Sequence, residues 1–384
     1  MTDEVTSADT DDADETGIDE AYAAAFDRNS DPLAEYSDQF NDLPDPFDYY
    51  VDRVVKNRDA IDDPETYDHY YRTYREWQEY ILDTTEKRHP ACPSTEHVKR
   101  YIEWRRDVHQ NTRRTILGKL SRLNQAYEFW QAKQAMPHPP DFNPFAVAKE
   151  EVSLGDNESR EYPDLSLSTL QTEFEAVKNI RSRAIIAKQL KLGMRAGEVS
   201  NTKISEIHIS HQELQQQYPT LGTHPALGDH KDVIYIPSDR DGNKSANPRM
   251  LPIDDELRWL LMRHLLTRPQ VDDPWVFLSR RTFTKLTPQA VNRVWKEEFH
   301  PQYAETDEYD AITSHFGRHW FSTYWRLDEG LEREHVQYMR GDLVQPHDKY
   351  PDPIDDYLHP NYRQIESEYR QNVFKLNIAL NHSP

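Results

Sequence analysis

Four short stretches of this chain hold residues suited to handling a phosphate. Arg195 lies in Leu192-Gly-Met-Arg-Ala-Gly-Glu-Val199, where one helix ends at a glycine and another begins. Helix starts gather unpaired N–H groups and positive potential, so an arginine there is placed to hold an anion. Alone, an Arg195–Glu198 surface pair is the plainer reading. Lys244 sits in the polar turn Asp241-Gly-Asn-Lys-Ser, five residues before Arg249-Met-Leu-Pro252, and lysines in such turns are ordinarily just solvated. His315-Phe-Gly-Arg318-His319 opens a helix behind Thr313-Ser314. Residues three apart share a helix face, so an imidazole and a guanidinium there can converge on one anion; a core histidine beside a surface arginine is the alternative. Tyr357, in Asp355-Asp-Tyr-Leu-His-Pro360, offers a phenol, but it is one of 22 tyrosines.

The order is more telling than any single group. An arginine, a hairpin lysine about fifty residues on, His-x-x-Arg about seventy beyond, and a late tyrosine before a last helix follow one another here. This succession resembles the tyrosine recombinase (phage integrase) family, through Gly193-Met-Arg-Ala-Gly-Glu198, the lysine's spacing to Arg249-Met-Leu-Pro252, and His315-x-x-Arg318-His319. The resemblance covers about 166–384 as a catalytic domain, and 66–150 is similar to the family's helical, SAM-like core-binding domain. It implies a site-specific recombinase that cleaves and rejoins DNA through a 3′-phosphotyrosine, with Tyr357 as nucleophile. Arg195 and Arg318 would grip the phosphate, since guanidinium groups stay charged and bind it bidentately. His315 would accept the phenolic proton or orient the phosphate, and Lys244 would protonate the departing 5′ oxygen. The covalent link conserves the bond energy, so no cofactor is implied, neither ATP nor a metal. The implied partners are double-stranded DNA, a homo-tetramer on paired sites that passes through a Holliday junction, and an accessory DNA-bending or directionality protein. Each protomer would lend its C-terminal helix, Tyr362–Leu380, to a neighbour. Two other readings share these residues: a catalytically weakened DNA-binding relative that regulates a mobile element, and a type IB topoisomerase-like relaxase.

The sequence departs from the family's pattern in two places. Where the family has Gly-His, sometimes with Trp, this chain has Tyr338-Met-Arg-Gly-Asp342, so Asp342 takes the position of a hydrogen-bond donor. An ionised aspartate only accepts and would repel phosphate. Three readings stay open: Arg340 or His347 supplies the donor, Asp342 is protonated or structural, or activity is reduced. The spacing to the tyrosine is also stretched. Tyr350 is nearer the expected offset, whereas Tyr357 has the Tyr-x-His flank and the right distance from the final helix.

Hydropathy patterning predicts a mainly α fold with a small antiparallel sheet (α+β), arranged as a two-domain DNA clamp. Apolar residues at spacings of three and four predict helices at 67–82, 98–107 and 111–134, then a linker at 151–165. Further helices are expected from Leu167, over 182–191, 255–266, 288–298, 315–329, 332–339 and 362–380, with strands at 204–209, 233–237 and 249–253. The last two strands flank the Asp-, Gly- and Asn-rich turn that carries Lys244.

Composition sets the remaining bounds. A chain of 384 residues exceeds the size at which one core stops growing. No stretch approaches the roughly 18 apolar residues of a membrane span, and the acidic N-terminus is no secretory signal. Cys92 is the only cysteine, which leaves no disulfide framework and points to a reducing cytoplasm. The net charge of −22 is unevenly spread. Residues 1–48 contribute −15 and read as a disordered acidic tail. Residues 97–124 carry +6, from Lys99, Arg100, Arg105, Arg106, Arg113, Arg114, Lys119 and Arg122 against Glu103 and Asp107. That stripe is the expected DNA-binding surface. Excess acid with 30 Arg to 16 Lys fits a salt-rich, haloarchaeal-type cytoplasm.

Overall fold

The computed structural model describes residues 18, 21–57, 64–84, 88–154, 160–245, 247–342 and 362–378. The chain divides into two compact units, Met1–Glu158 and Ser159–Pro384. The fold is mostly helical with one three-stranded antiparallel sheet, as the patterning predicts.

The first unit is built from α1 (Pro46–Tyr50), α2 (Pro64–Thr84), α3 (Thr95–Glu103), α4 (Arg113–Gln131) and α5 (Pro144–Glu151). Ser94 caps α3 by accepting from the His97 amide, and Thr112 caps α4 in the same way from Thr115. Aromatic residues fill the core: Phe47 lies 4.8 Å from both Tyr74 and Trp130, and Trp77 lies 5.0 Å from Tyr101. Both indoles find acceptors, Trp77 Nε1 at Pro90 O (2.8 Å) and Trp130 Nε1 at Pro46 O (3.1 Å), as buried indoles must.

This packing corrects the expected tail. A disordered segment through residue 48 is not what forms, because Leu33, Phe40, Phe47, Tyr50, Val51 and Val55 are all buried in this core. Asp45 caps α1 through the Phe47 amide at 2.7 Å and accepts from Gln78 Nε2 at 2.6 Å. Ser37 accepts from the His89 amide at 2.7 Å. Sparse apolar anchors thus fold a stretch whose acidic composition suggested disorder. Residues 1–17 lie outside the described residues.

The second unit surrounds α7 (Ile180–Leu192), buried from Ala184 to its end. Around it lie α6 (Leu167–Ala176), α8 (Ala196–Ser200), β1 (Ile207–His208), α9 (Gln212–Gln217), β2 (Val233–Ile236) and β3 (Arg249–Pro252). Next come α10 (Asp255–Thr267), α11 (Pro288–Phe299), α12 (Ser314–Thr323), α13 (Arg333–Arg340) and α14 (Tyr362–Asn372). The sheet order is β1-β2-β3, with Ile207 opposite Ile234 and Tyr235 opposite Met250. The central helix carries buried polar groups with partners, as burial demands. Lys191 Nζ meets Asp254 at 2.7 Å and Glu256 at 2.9 Å, and Lys188 reaches the Thr202 hydroxyl.

The last helix is shorter than expected. It ends at Asn372, and the following residues run without helix while Phe374, Leu376 and Ile378 bury into this same unit. Glu256 fixes them by accepting from the Leu376 and Ile378 amides at 2.7 and 3.0 Å. In the single chain, therefore, the segment expected to serve a neighbour covers its own unit.

Candidate functional site

Elements of the second unit bring together two of the residues expected to handle phosphate, Arg195 and Arg318. Helix α7 stops at Gly193, whose φ of +60° suits glycine, and Arg195 follows as the residue before α8. Gln189 couples this turn to α12: its Nε2 donates to Met194 O (3.2 Å) and Ser314 O (3.3 Å), and its Oε1 accepts from Trp295. Arg318, one turn into α12, is 2% exposed. It donates to Gly193 O at 2.5 Å and to Arg340 O, at the end of α13, at 3.0 Å.

The guanidinium groups meet on Asp342. Arg195 Nη2 and Arg318 Nη2 each lie 2.6 Å from its Oδ1, and Arg340 Nε lies 2.9 Å from its Oδ2. Arg195 and Arg340 keep 28% and 32% of their side chains exposed while Arg318 is enclosed, so the cluster opens to solvent at those two arginines. Burial, then the charges of Arg195 and Arg340, pull Arg318 below the usual arginine range. Part-burial and the charges of Arg318, Arg340, His319 and Arg195 likewise lower His315. That direction favours the neutral imidazole, the form that can accept a proton.

Glu198 braces the arrangement. The expected Arg195–Glu198 surface pair is not the main contact: Glu198 is 1% exposed and its two oxygens take Arg249 Nη1 and Nη2 at 3.1 and 2.8 Å. It also accepts from the Arg195 amide at 2.8 Å and from the Ser245 hydroxyl. Burial alone would raise the carboxyl, but Arg249 and these hydrogen bonds outweigh it and hold Glu198 at about 2. Ser245 adjoins Lys244, so the brace fixes the turn that carries the lysine. A close approach at Gly197 adds to this, since a Cβ there would lie 2.2 Å from Gly242 O in the same turn. Lys244 itself is exposed. Sequence reading missed Glu198, Ser245 and Arg249 as parts of the site, because their partners lie about fifty residues apart. Tyr357, its alternative Tyr350, and His347 lie outside the described residues.

Neither a family model nor a curated protein matches the chain. Solved structures do. A lambda integrase tetramer bound to a Holliday junction is 14% identical with a TM-score of 0.57, over 88% of this chain and 90% of that one. A lambda integrase dimer bound to a COC′ core site is 13% identical (TM-score 0.55; 90% and 86%). The Tn1549 transposon integrase in complex with a circular intermediate DNA is 14% identical (TM-score 0.54; 85% and 98%). The chain shares its fold with lambda integrase.

In the first unit of this integrase-like fold, the residues of the expected basic stripe differ in exposure: Arg105 and Lys119 are buried, Arg100 and Arg114 are exposed, and Lys99, Arg106, Arg113 and Arg122 lie between. Glu76 pairs with Arg105 and Lys119, both buried. Lys99 pairs with Glu151 at 2.7 Å, Arg100 with Glu96 at 3.2 Å and Arg106 with Asp107 at 2.7 Å. These cations balance the unit's own acids. Three of the stripe's residues, Arg114, Lys119 and Arg122, also line a groove of about 480 Å³ between α2 and α4, together with His69 and Arg72. Arg72 and Arg114 are exposed at it. His69 and Arg72 escaped the sequence reading because they stand on a helix chosen for its tyrosines. No helix of the described residues is long and apolar enough to cross a membrane.

Proposed function

We propose that this chain is a tyrosine-type, site-specific DNA recombinase that breaks and rejoins strands through a 3′-phosphotyrosine at Tyr357. The observation that carries this reading is the convergence of Arg195 and Arg318, each 2.6 Å from one carboxylate oxygen, with His315 three residues before Arg318 on α12. Two fixed guanidinium groups on one anion are what a pentavalent phosphate needs, because charge builds on its non-bridging oxygens and preorganised donors meet it. His315 accepts the phenolic proton or orients the phosphate. Lys244, on a turn held by Ser245 and Gly197, protonates the leaving 5′ oxygen. The second unit is the catalytic domain and the first the core-binding domain, its α2–α4 groove gripping DNA phosphates.

The work proceeds on duplex DNA with further copies of the chain on paired sites and an accessory DNA-bending protein, in the service of a mobile element. The acid excess suits a salt-rich cytoplasm. The test is covalent capture. A duplex selected from a random pool, nicked so that cleavage cannot reverse, is incubated with the chain in high salt. A protein–DNA adduct that Tyr350→Phe retains and Tyr357→Phe loses supports the reading; binding with no adduct supports a DNA-binding relative that has lost its chemistry. Relaxation of supercoils without paired sites would move the reading to a relaxase.

A further inference from the structure

Four guanidinium groups crowd the candidate site, those of Arg195, Arg249, Arg318 and Arg340, with two carboxylates, Glu198 and Asp342, between them. Glu198 is committed to Arg249 at its two oxygens and is fully enclosed. Asp342 is different: its side chain is 23% exposed, accepts hydrogen bonds from Arg195 and Arg318 at 2.6 Å each, and is ion-paired with Arg340, whose Nε lies 2.9 Å away without hydrogen-bond alignment. A carboxylate whose oxygens take guanidinium groups in this way offers the contacts that two non-bridging phosphate oxygens offer. Arg340 closes the ring, because its carbonyl also accepts from Arg318 at 3.0 Å and from Arg195 at 3.5 Å.

We propose that the Asp342 carboxylate is a built-in stand-in for the DNA phosphate, and that Arg340 is the third phosphate-binding arginine of the seat it occupies. Resting on the recombinase reading, this resolves the misplaced aspartate: the missing donor is Arg340, two residues earlier, and Asp342 keeps mutually repelling cations in register until DNA arrives. Phosphate and carboxylate cannot share the seat, since like charges a few ångströms apart repel strongly where water is scarce. The exchange is a rotation of the Asp342 side chain. The backbone before it is pinned, because Gly341 lies so close to Arg249 that a Cβ there would fall 2.3 Å from Nη1.

Inorganic phosphate tests this without DNA. The full chain and its D342N and D342S variants are melted across a phosphate series, with chloride at matched ionic strength as control. A ligand that binds the folded state raises Tm according to its affinity. Wild type should respond weakly, its seat being filled. D342N and D342S should respond at roughly tenfold lower phosphate, and adding R340A to D342N should undo about tenfold of that gain. Asp342 variants no more responsive than wild type would overturn the stand-in. So would variants that fail to fold even in phosphate, which would make Asp342 a fixed strut. An R340A/D342N protein equal to D342N would remove Arg340 from the seat. The titration involves no strand cleavage, so a chain that passes it yet never forms a DNA adduct keeps the seat and loses the recombinase reading.

Discussion

At the scale of residues, the candidate site divides into groups proposed to meet the phosphate and groups that hold them in place. Arg195 and Arg318 were legible because each lies in a compact motif that names its own neighbours. Glu198 and Arg249 were not, since only folding brings α8 and β3 together, and a buried bidentate pair looks on paper like two ordinary surface charges. Their roles separate by experiment. Arg195→Ala is expected to slow adduct formation by about 10²–10³, the usual cost of one preorganised donor, with Tm little changed. Glu198→Gln is expected to leave Arg249 buried without its counter-charge. That costs about 3–5 kcal/mol and lowers Tm on the order of 10 °C. Thermal melts beside single-turnover cleavage distinguish the two; an E198Q protein with unchanged Tm would contradict the brace.

At the scale of elements, patterning located most helices and all three strands, and it failed where composition overrode local apolar anchors. The segment from Leu33 to Val55 is acid-rich, yet Asp45 caps its helix and Phe47 packs between Tyr74 and Trp130. The basic stripe shows a related limit of one dimension: a run of cations does not say which ones face inward, as Arg105 and Lys119 do. Arg72→Ala and Arg114→Ala, in the α2–α4 groove, are each expected to reduce the salt slope of DNA binding by about one. Lys119→Ala is expected to lower Tm instead, since it takes away one of the two cations on the part-buried Glu76 and leaves Arg105 alone at 3.2 Å. Equal salt slopes in filter-binding titrations of R72A and wild type would reject the groove. Acid provides a second check on the packing. Burial holds His138, in the first unit, and His264, in α10, down at about 4. Both are neutral when folded and take a proton below about 6.5 when unfolded. Their contribution is complete above that pH and is lost as pH falls towards 4, at up to about 1.4 kcal/mol per pH unit for each histidine. His264→Gln is expected to flatten that slope in urea melts taken between pH 7 and 4.5.

At the scale of the whole molecule, the charge of −22 works against both compactness and DNA. Self-repulsion within the folded chain is screened as ionic strength rises, the Debye length falling to about 3 Å at 1 M. Tm is therefore expected to climb between 0.1 and 2 M KCl, and a flat or falling profile would remove the salt-adapted reading of the composition. The mainly helical fold with its small antiparallel sheet was legible in patterning alone, whereas the integrase resemblance came from the order of Arg195, Lys244, His315 and Arg318. The chemistry rests on a few residues, and its nucleophile is the least constrained of them. The most direct measurement is intact mass of the chain after incubation with the nicked duplex in high salt. The expected result is an added mass equal to the trapped strand, lost in Tyr357→Phe and kept in Tyr350→Phe. Unmodified wild-type protein that nevertheless binds the duplex, or an adduct that survives Tyr357→Phe, would contradict it.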